Sequence, residues 1–578
     1  MRKSILIFFG FLPCVLLVSC KKDFLNDTKP EDQVSDADVW KSSALTLKVI
    51  NGAYQALPAG HTWFMMMSAT DEGMFQYNDL GTPYTFGLVT PQNLGCFASS
   101  VWAWGQLDWS WQRVYLNIRN INLVLANISQ VPFDVQKDKD RAKADAYFLR
   151  GFSYFLLMSQ YGGVPLYDKP VNLGDDYSVT RNTFEETVNF IVKDLDSAIN
   201  LYSVDEVGTK KTRADKGVAM AIKAKTLLYA ASDLHNPGKN GGLATGYAHP
   251  ELIGYTSGDA NARWQAAKDA AYAVIQLNKY SLYSANADVS RNFEEVFLKR
   301  SDEDMFLRYA DQLVDLYYAL GRTPEWQAPP GYNGAGANAV LGNLADAFEM
   351  NDGSTFDWSN PVQAANPYAN RDPRFYASIL YEGAPWYTRP ATTDKVRMGK
   401  WPDGSSAPDA EFTNYWMRKF SDVNNGPMQY SGEFYKCPPW IRMRYAEVLL
   451  DYAEACIELG LDDEAKTYIN MIRARAGMPP VTETGDALKT RYRNERRVEF
   501  AFEEQRFFDV RRWLIGPASA EDGFGVSISY PVQGSFDNPV FTKVPVDQGR
   551  AWVDKEYFLP ITTDELNKNP ALVQNPGY

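Results

Sequence analysis

The stretch Ile441-Arg-Met-Arg444-Tyr445-Ala-Glu447-Val448-Leu-Leu-Asp451-Tyr452-Ala-Glu454-Ala455-Cys456-Ile-Glu-Leu459-Gly460-Leu-Asp462 decides the fold. Ile441, Tyr445, Val448, Tyr452, Ala455 and Leu459 recur at intervals of three and four for five turns, the spacing of one helical face. This predicts a helix over 438–459. Gly460 suits the left-handed backbone that ends a helix. Asp462 stands where an N-cap would open a second helix over 462–476. Two such helices on so short a connection pack antiparallel.

The same period recurs upstream. Phe184, Val188, Ile191, Leu195 and Ala198 mark a helix over 184–201, and Phe148, Phe152 and Phe155 mark one over 141–161. Trp264, Ala267, Ala271 and Val274 mark 264–277, which follows a helix over 216–232. Further helices are predicted over 41–57, 109–128 and 488–514, with short strands near 526–530 and 540–544. Consecutive antiparallel pairs stack as tetratricopeptide repeats do, although the full repeat signature is absent. The expected fold is therefore mainly α: tetratricopeptide-like helix pairs forming a helical scaffold with a large irregular, loop-rich insertion. The segments 232–262 and 320–437 lack any period, and irregular stretches of such length in a compact protein are usually functional.

The N-terminus carries a different signal. Arg2 and Lys3 precede a short apolar run, Ile5 to Leu17, and then Leu17-Val-Ser-Cys20. Thirteen or so apolar residues suit a secretory leader and are too few to span a bilayer, which takes about 20. The last four residues look like a lipobox, which predicts cleavage before Cys20 and diacylglyceryl modification of its thiol. The expected division is a leader at 1–19, a lipidated tether at 20–37 and a helical domain at 38–578. Within that domain, helix pairs fill 38–284, the irregular ligand-facing part runs over 285–437, and a helical part closes the chain over 438–578.

Composition narrows the function. The formal net charge is −13, and a cleaved leader would remove two further cations. An acidic chain is a poor partner for nucleic acid. Beyond Cys14 in the leader and Cys20, only Cys96, Cys437 and Cys456 remain, so at most one disulfide forms. The three histidines, His61, His235 and His249, make no metal-binding spacing, and there is no nucleophile elbow or phosphate loop. Gly334-Ala-Gly336 begins only a degenerate dinucleotide pattern. No catalytic residue, metal or cofactor is expected, and a structural calcium ion is not predicted. The 15 Trp, 34 Tyr and 31 Phe stand out; what the core does not absorb is available to stack on ligands. The dense run Arg491–Arg512 places Glu495, Glu499 and Glu503 four apart, with Arg491 and Arg496 spaced to pair with the first two. It is expected to be an ion-pair lattice rather than an anion site.

At this point the chain resembles the SusD/RagB family of Bacteroidetes outer-membrane lipoproteins, over nearly its whole length. The resemblance is carried by the lipobox with Asp23-Phe24-Leu25, and by Trp111-Gln-Arg-Val-Tyr115 with Ile118 and Asn122. It continues through Arg141-Ala-Lys-Ala-Asp-Ala-Tyr-Phe-Leu-Arg150-Gly151, Gln160-Tyr161-Gly162-Gly163-Val164-Pro165 and Asp372-Pro373-Arg374-Phe375. It is densest in Arg473-Ala-Arg475-Ala-Gly477-Met-Pro479, Glu495-Arg496-Arg497, Phe508-Asp509-Val-Arg511-Arg512-Trp513 and the closing Gln574-Asn575-Pro576-Gly577-Tyr578. One departure is Glu504, where the family often has glycine. The resemblance implies a surface-exposed lipoprotein of the outer membrane, held by a lipid anchor. It would capture glycan without catalysis and deliver it to a SusC-like TonB-dependent transporter, over which it sits as a lid. Two alternatives stay open: a binder of peptide or another nutrient in the same kind of complex, and, ranked lower, a surface glycoside hydrolase.

A pyranose offers an apolar C–H face that an indole or phenol ring matches, and its hydroxyls need polar partners. Loop residues are therefore the expected ligand contacts: Trp63, Asp71, Trp102, Trp104, Trp326 and Tyr332. Trp109, Trp111, Tyr115, Trp264 and Trp513 are expected in the core. Trp358, Trp386 and Trp401 are weaker candidates.

Overall fold

The computed structural model describes residues 36–58, 60, 62–77, 81–97, 110–172, 174–175, 178–240, 242–309, 327–330, 334–386, 395–410, 412–421 and 438–578. Cys20, Trp102, Trp104, Trp109, Trp326, Tyr332 and Cys437 lie outside them.

Most of the described chain is helical. After α1 (Ser43–Gln55) and strand β1 (Gly73–Phe75) come α2 (Trp111–Asn127), α3 (Gln136–Tyr161) and α4 (Phe184–Leu201). Next come α5 (Lys216–Ala231), α6 (Ala260–Ile275), α7 (Val289–Leu298), β2 (Asp304–Arg308) and β3 (Asn338–Val340). Strands β4 (Ile379–Leu380), β5 (Trp416–Met417) and β6 (Trp440–Arg444) lead to α8 (Tyr445–Glu458) and α9 (Asp462–Ala476). Then follow α10 (Gly485–Glu499), α11 (Arg506–Arg512), β7 (Phe524–Ser529), β8 (Val540–Pro545) and α12 (Thr563–Lys568).

The three predicted pairs, α3 with α4, α5 with α6, and α8 with α9, each pack together. Local chemistry starts and stops them. Thr183 accepts the Glu186 N–H while Glu186 reaches back to the Thr183 N–H, a complete capping box at the start of α4. Asp215 caps α5 through the Val218 N–H. Every residue of α3 from Phe148 to Tyr161 is buried, so the second half of this helix is wrapped on all sides. It stops at Gly162 (φ 79°), where a Cβ would lie 2.4 Å from the Leu252 carbonyl oxygen; only glycine fits.

Three predicted details are corrected. Ile441 belongs to β6, antiparallel to β2, and helix α8 begins only at Tyr445. A four-residue interval suits either element, and the hydrogen bonds offered by β2 from far upstream decide it. Asp462 is the first residue of α9, and Leu461 is its N-cap; the Asp462 carboxylate instead accepts the Gly485 N–H at 2.7 Å. The predicted helix 488–514 is two helices, because Phe502 and Glu504 adopt φ of 66° and 61°, which no α-helix contains.

The core divides into two main clusters. One runs through the helix pairs from Ile50 to Leu572. The other, around Phe293, Phe348, Phe375, Trp416 and Val526, holds the short elements between 293 and 420 against the β7–β8 hairpin. Between them lies a buried ion-pair lattice. Glu495 receives Arg374 and Arg473 (2.7 Å), and Glu499 receives Arg374 (3.1 Å), Arg444 (2.7 Å) and Arg475. Glu503 receives Arg444 and Lys419 (2.7 Å). Burial pushes the Glu499 carboxyl up, but its three arginines outweigh that and hold it well below the usual carboxylate range. The expected partners within the helix are not the ones used. Arg491 turns to Glu349 and Glu483, and Arg496 to Asp451 and Asp509 (2.8 and 2.9 Å).

Candidate functional site

Strands β1 and β3 bring together two segments far apart in sequence. Gly73, Met74 and Phe75 lie opposite Val340, Ala339 and Asn338, and the Gln76 N–H donates to the Ala337 carbonyl at 3.0 Å. Phe75 closes β1 and Tyr77 lies in the turn that follows; their ring centroids are 5.6 Å apart, and Trp63 packs onto both.

Trp63 and Tyr77 have ring centroids 5.0 Å apart and an interplanar angle of 34°. Phe75 lies 6.2 Å from Trp63, edge-on, and Phe64 lies 5.2 Å from Phe75. Phe64 and Phe75 are buried and form the base, Trp63 is half-buried, and Tyr77 is 52 % exposed. A half-buried ring and an exposed one thus sit side by side on an apolar base.

One buried side chain holds the loop under the shelf. The Asn338 amide nitrogen donates to the Trp63 carbonyl (2.8 Å) and to Gln327 Oε1 (2.8 Å). Its oxygen accepts from the Met65 N–H (3.1 Å) and the Ser68 hydroxyl (2.8 Å). Gln327 Nε2 donates to the Thr62 carbonyl at 3.2 Å. All four bonding positions of the Asn338 amide are filled, so the Trp63 backbone has little freedom.

Of the residues singled out from sequence, Trp63 lies on this shelf. Asp71 does not. It is buried, and its carboxylate takes Arg506 in a two-point contact (2.8 and 2.7 Å) and Arg497 at 3.0 Å. Burial raises its pKa, yet the two arginines hold it well below the usual carboxylate range. An Asp near a loop Trp resembles a hydroxyl-binding group, but arginines from more than 400 residues downstream make it a clamp between β1 and the C-terminal helices. Trp102, Trp104, Trp326 and Tyr332 fall outside the described residues. Sequence reasoning missed Tyr77, which lies in the turn after β1, where no local pattern marks it. Trp111, Trp264 and Trp513 are buried as expected. Trp358 donates to the Asp346 carboxylate, and Trp401 packs against Tyr530 and Phe536.

Two buried acids near the shelf, Glu72 and Glu504, form no ion pair among the described residues. Among the described residues both carboxylate oxygens of Glu72 are without hydrogen-bond partners, and burial, then the Asp71 charge, pushes its pKa up to about 8. Glu504 is pushed up to about 7 by burial and accepts a long bond from the Met66 N–H (3.4 Å). Its backbone is left-handed (φ 61°), a conformation that glycine adopts at no steric cost. Among the described residues no group of three His, Cys, Asp or Glu side chains could hold a metal ion. Cys96 and Cys456 are free and buried.

The fold is thus a helical scaffold with an aromatic shelf on a loop fixed by Asn338. Comparison identifies its family. Residues 271–578 match the model described as SusD family, and residues 23–228 match that described as starch-binding associating with outer membrane. The chain belongs to the SusD family, a carbohydrate-binding family associated with the outer membrane. SusD-like protein P2 of Formosa agariphila is 24 % identical over 577 residues, covering 96 % of each chain. A solved SusD-like protein of Bacteroides fragilis superposes with a TM-score of 0.77 at 26 % identity, over 95 % of this chain and all of that one. A structure described as a laminarin-binding SusD-like protein superposes at 0.62 with 19 % identity, over 93 % of this chain and all of that one. Among the described residues no helix is long and apolar enough to cross a membrane.

Proposed function

We propose that the protein captures oligosaccharide or polysaccharide at the cell surface, without cleaving it, and delivers it to a SusC-like TonB-dependent transporter. In this reading Cys20 carries the lipid that anchors the chain to the outer membrane. Trp63 and Tyr77 form a stacking platform for pyranose rings. The observation that carries the reading is the shelf itself: one half-buried and one exposed ring, 5.0 Å apart, over a loop fixed by Asn338. The laminarin-binding neighbour supports a β-glucan as the first ligand to try. The burial of Asp71, Glu72, Glu503 and Glu504 supports a non-catalytic role, since a glycosidase needs two carboxyl groups facing substrate. Trp102, Trp104, Trp326 and Tyr332 keep their part in the proposal on the sequence alone.

Calorimetry with laminarin and a panel of neutral polysaccharides tests this. An aromatic contact contributes about 0.5–1.5 kcal/mol beyond area burial, so Trp63→Ala with Tyr77→Ala should weaken binding by roughly tenfold or more. Unchanged affinity would remove the shelf from the binding site. New reducing ends released from any polysaccharide would overturn the non-catalytic role.

A further inference from the structure

A second opening, sharing no lining residue with the shelf, lies between α2, the turn at 165–171 and α12. Its volume of about 480 Å³ is within the usual range for small-molecule sites. Trp111, Tyr115 and Tyr167 line it, with ring centroids 4.9 Å apart for the first two and 5.8 Å for the last two. The walls are fixed from behind. Tyr115 Oη donates to the Pro165 carbonyl at 2.8 Å. Asn122, fully buried, donates to the carbonyls of Tyr167 (2.9 Å) and Lys169 (3.2 Å), and its own oxygen accepts from Arg150 (2.8 Å). The rim is basic. Lys568 is neutralised by Glu565 at 2.8 Å, but the exposed side chains of Arg119 and Lys169 have no acidic or hydrogen-bonding partner among the described residues. Two uncompensated cations therefore stand beside an aromatic wall, on a chain whose net charge is −13.

We propose that this cleft binds an anionic pyranose unit, one carrying a carboxylate or a sulfate ester. The sugar's C–H face stacks on Tyr167, its edge meets Tyr115, whose ring stands at 88° to that of Tyr167, and its anionic group meets Arg119 and Lys169. The inference rests on the glycan-binding reading and adds a second subsite with its own selectivity. It explains why the cations are placed here although the chain as a whole is acidic, which would otherwise disfavour polyanions.

The test uses the whole protein with three polymers: polygalacturonate, dextran sulfate and uncharged dextran. Affinity electrophoresis and calorimetry at low salt and at high salt read the binding. One or both anionic polymers should bind more tightly than dextran, and the two distinguish carboxylate from sulfate. Two exposed charge contacts together contribute about 1.4 kcal/mol, so Arg119→Ala with Lys169→Ala should lower that affinity about tenfold. Tyr167→Ala should lower it as well, which general polyelectrolyte attraction would not produce. Laminarin binding at the Trp63 shelf should be untouched by the charge variant, so loss of one site is distinguishable from loss of the other. Equal affinity of the charge variant and the wild type for both anionic polymers overturns the proposal. So does dextran binding as tightly as both anionic polymers.

Discussion

Asn338→Ala tests whether the shelf is held by one amide. The substitution deletes a side chain that is wholly buried and fills four bonding positions. The Ser68 hydroxyl can turn to another acceptor, and Gln327 keeps its bond to Thr62. The Trp63 carbonyl and the Met65 N–H lose the bonds that Asn338 gave them. An unsatisfied buried polar group costs about 1–3 kcal/mol, so the expected loss is about 2–5 kcal/mol. With an unfolding entropy of about 2.1 cal/mol/K per residue, a chain of this size loses roughly 1 °C in Tm per kcal/mol. Scanning calorimetry should therefore report a fall of about 2–5 °C. The functional effect should be larger in proportion: once the loop is released, Trp63 must be ordered by the ligand, and affinity for laminarin should fall even where the protein remains folded. Asn338→Asp, of the same shape, should do the same, because it turns the donor that faces two oxygens into a third oxygen. If either variant kept wild-type Tm and affinity, the claim that Asn338 preorganises the shelf would be wrong.

Three further outcomes follow. Glu499→Gln should destabilise by about 3–5 kcal/mol, the cost of breaking one member of a buried ion-pair group. Because the folded pKa of Glu499 is depressed, its contribution is present above the unfolded value of about 4.3 and lost as pH falls toward the folded value; Tm against pH should decline less steeply below pH 5 in the variant. Glu504→Gly should stabilise by about 1 kcal/mol, since it relieves a left-handed non-glycine backbone that costs roughly 1–2 kcal/mol and removes a buried carboxyl. The Glu504 pKa is raised on folding to about 7, so wild type loses stability as pH rises from the unfolded value through 7, and the gain should be greater at pH 8 than at pH 5. Cys20→Ala should move the protein from the membrane fraction to the soluble fraction and leave glycan binding unchanged.

What could be read from the sequence, and what could not, separates along the range of the forces involved. Helix α4 is predicted to the residue, because its apolar stripe lies within eighteen consecutive positions, and the structure adds a capping box at its start. The break after α10 is not: Phe502 and Glu504 are neither glycine nor asparagine, and their left-handed backbones are imposed by surroundings that no local pattern reveals. The lattice acids were legible as a class but not as pairs, since Arg374 reaches Glu495 across 121 positions and Asp71 meets Arg506 across 435. The candidate site follows the same division. Trp63 is conspicuous as a loop tryptophan, whereas Tyr77 gains its meaning only when β3 is laid beside β1.

That division also bears on how the two proposed glycan sites differ. The shelf depends on a strand pair that joins residues 73–75 to residues 338–340, so its geometry is only as firm as the loop contacts gathered by Asn338. The α2 cleft is built on the Trp111 to Asn122 face of one helix and a turn anchored to it, inside the part of the fold with the strongest local signal. A substitution in the long irregular region should therefore disturb binding at the shelf and leave the cleft intact. Binding of laminarin and of an anionic polymer, measured side by side on Asn338→Ala, provides that comparison: the first should weaken and the second should not. Parallel loss of both in a protein that remains folded would mean that the two surfaces act as one site, and the argument for a separate anionic subsite would fail.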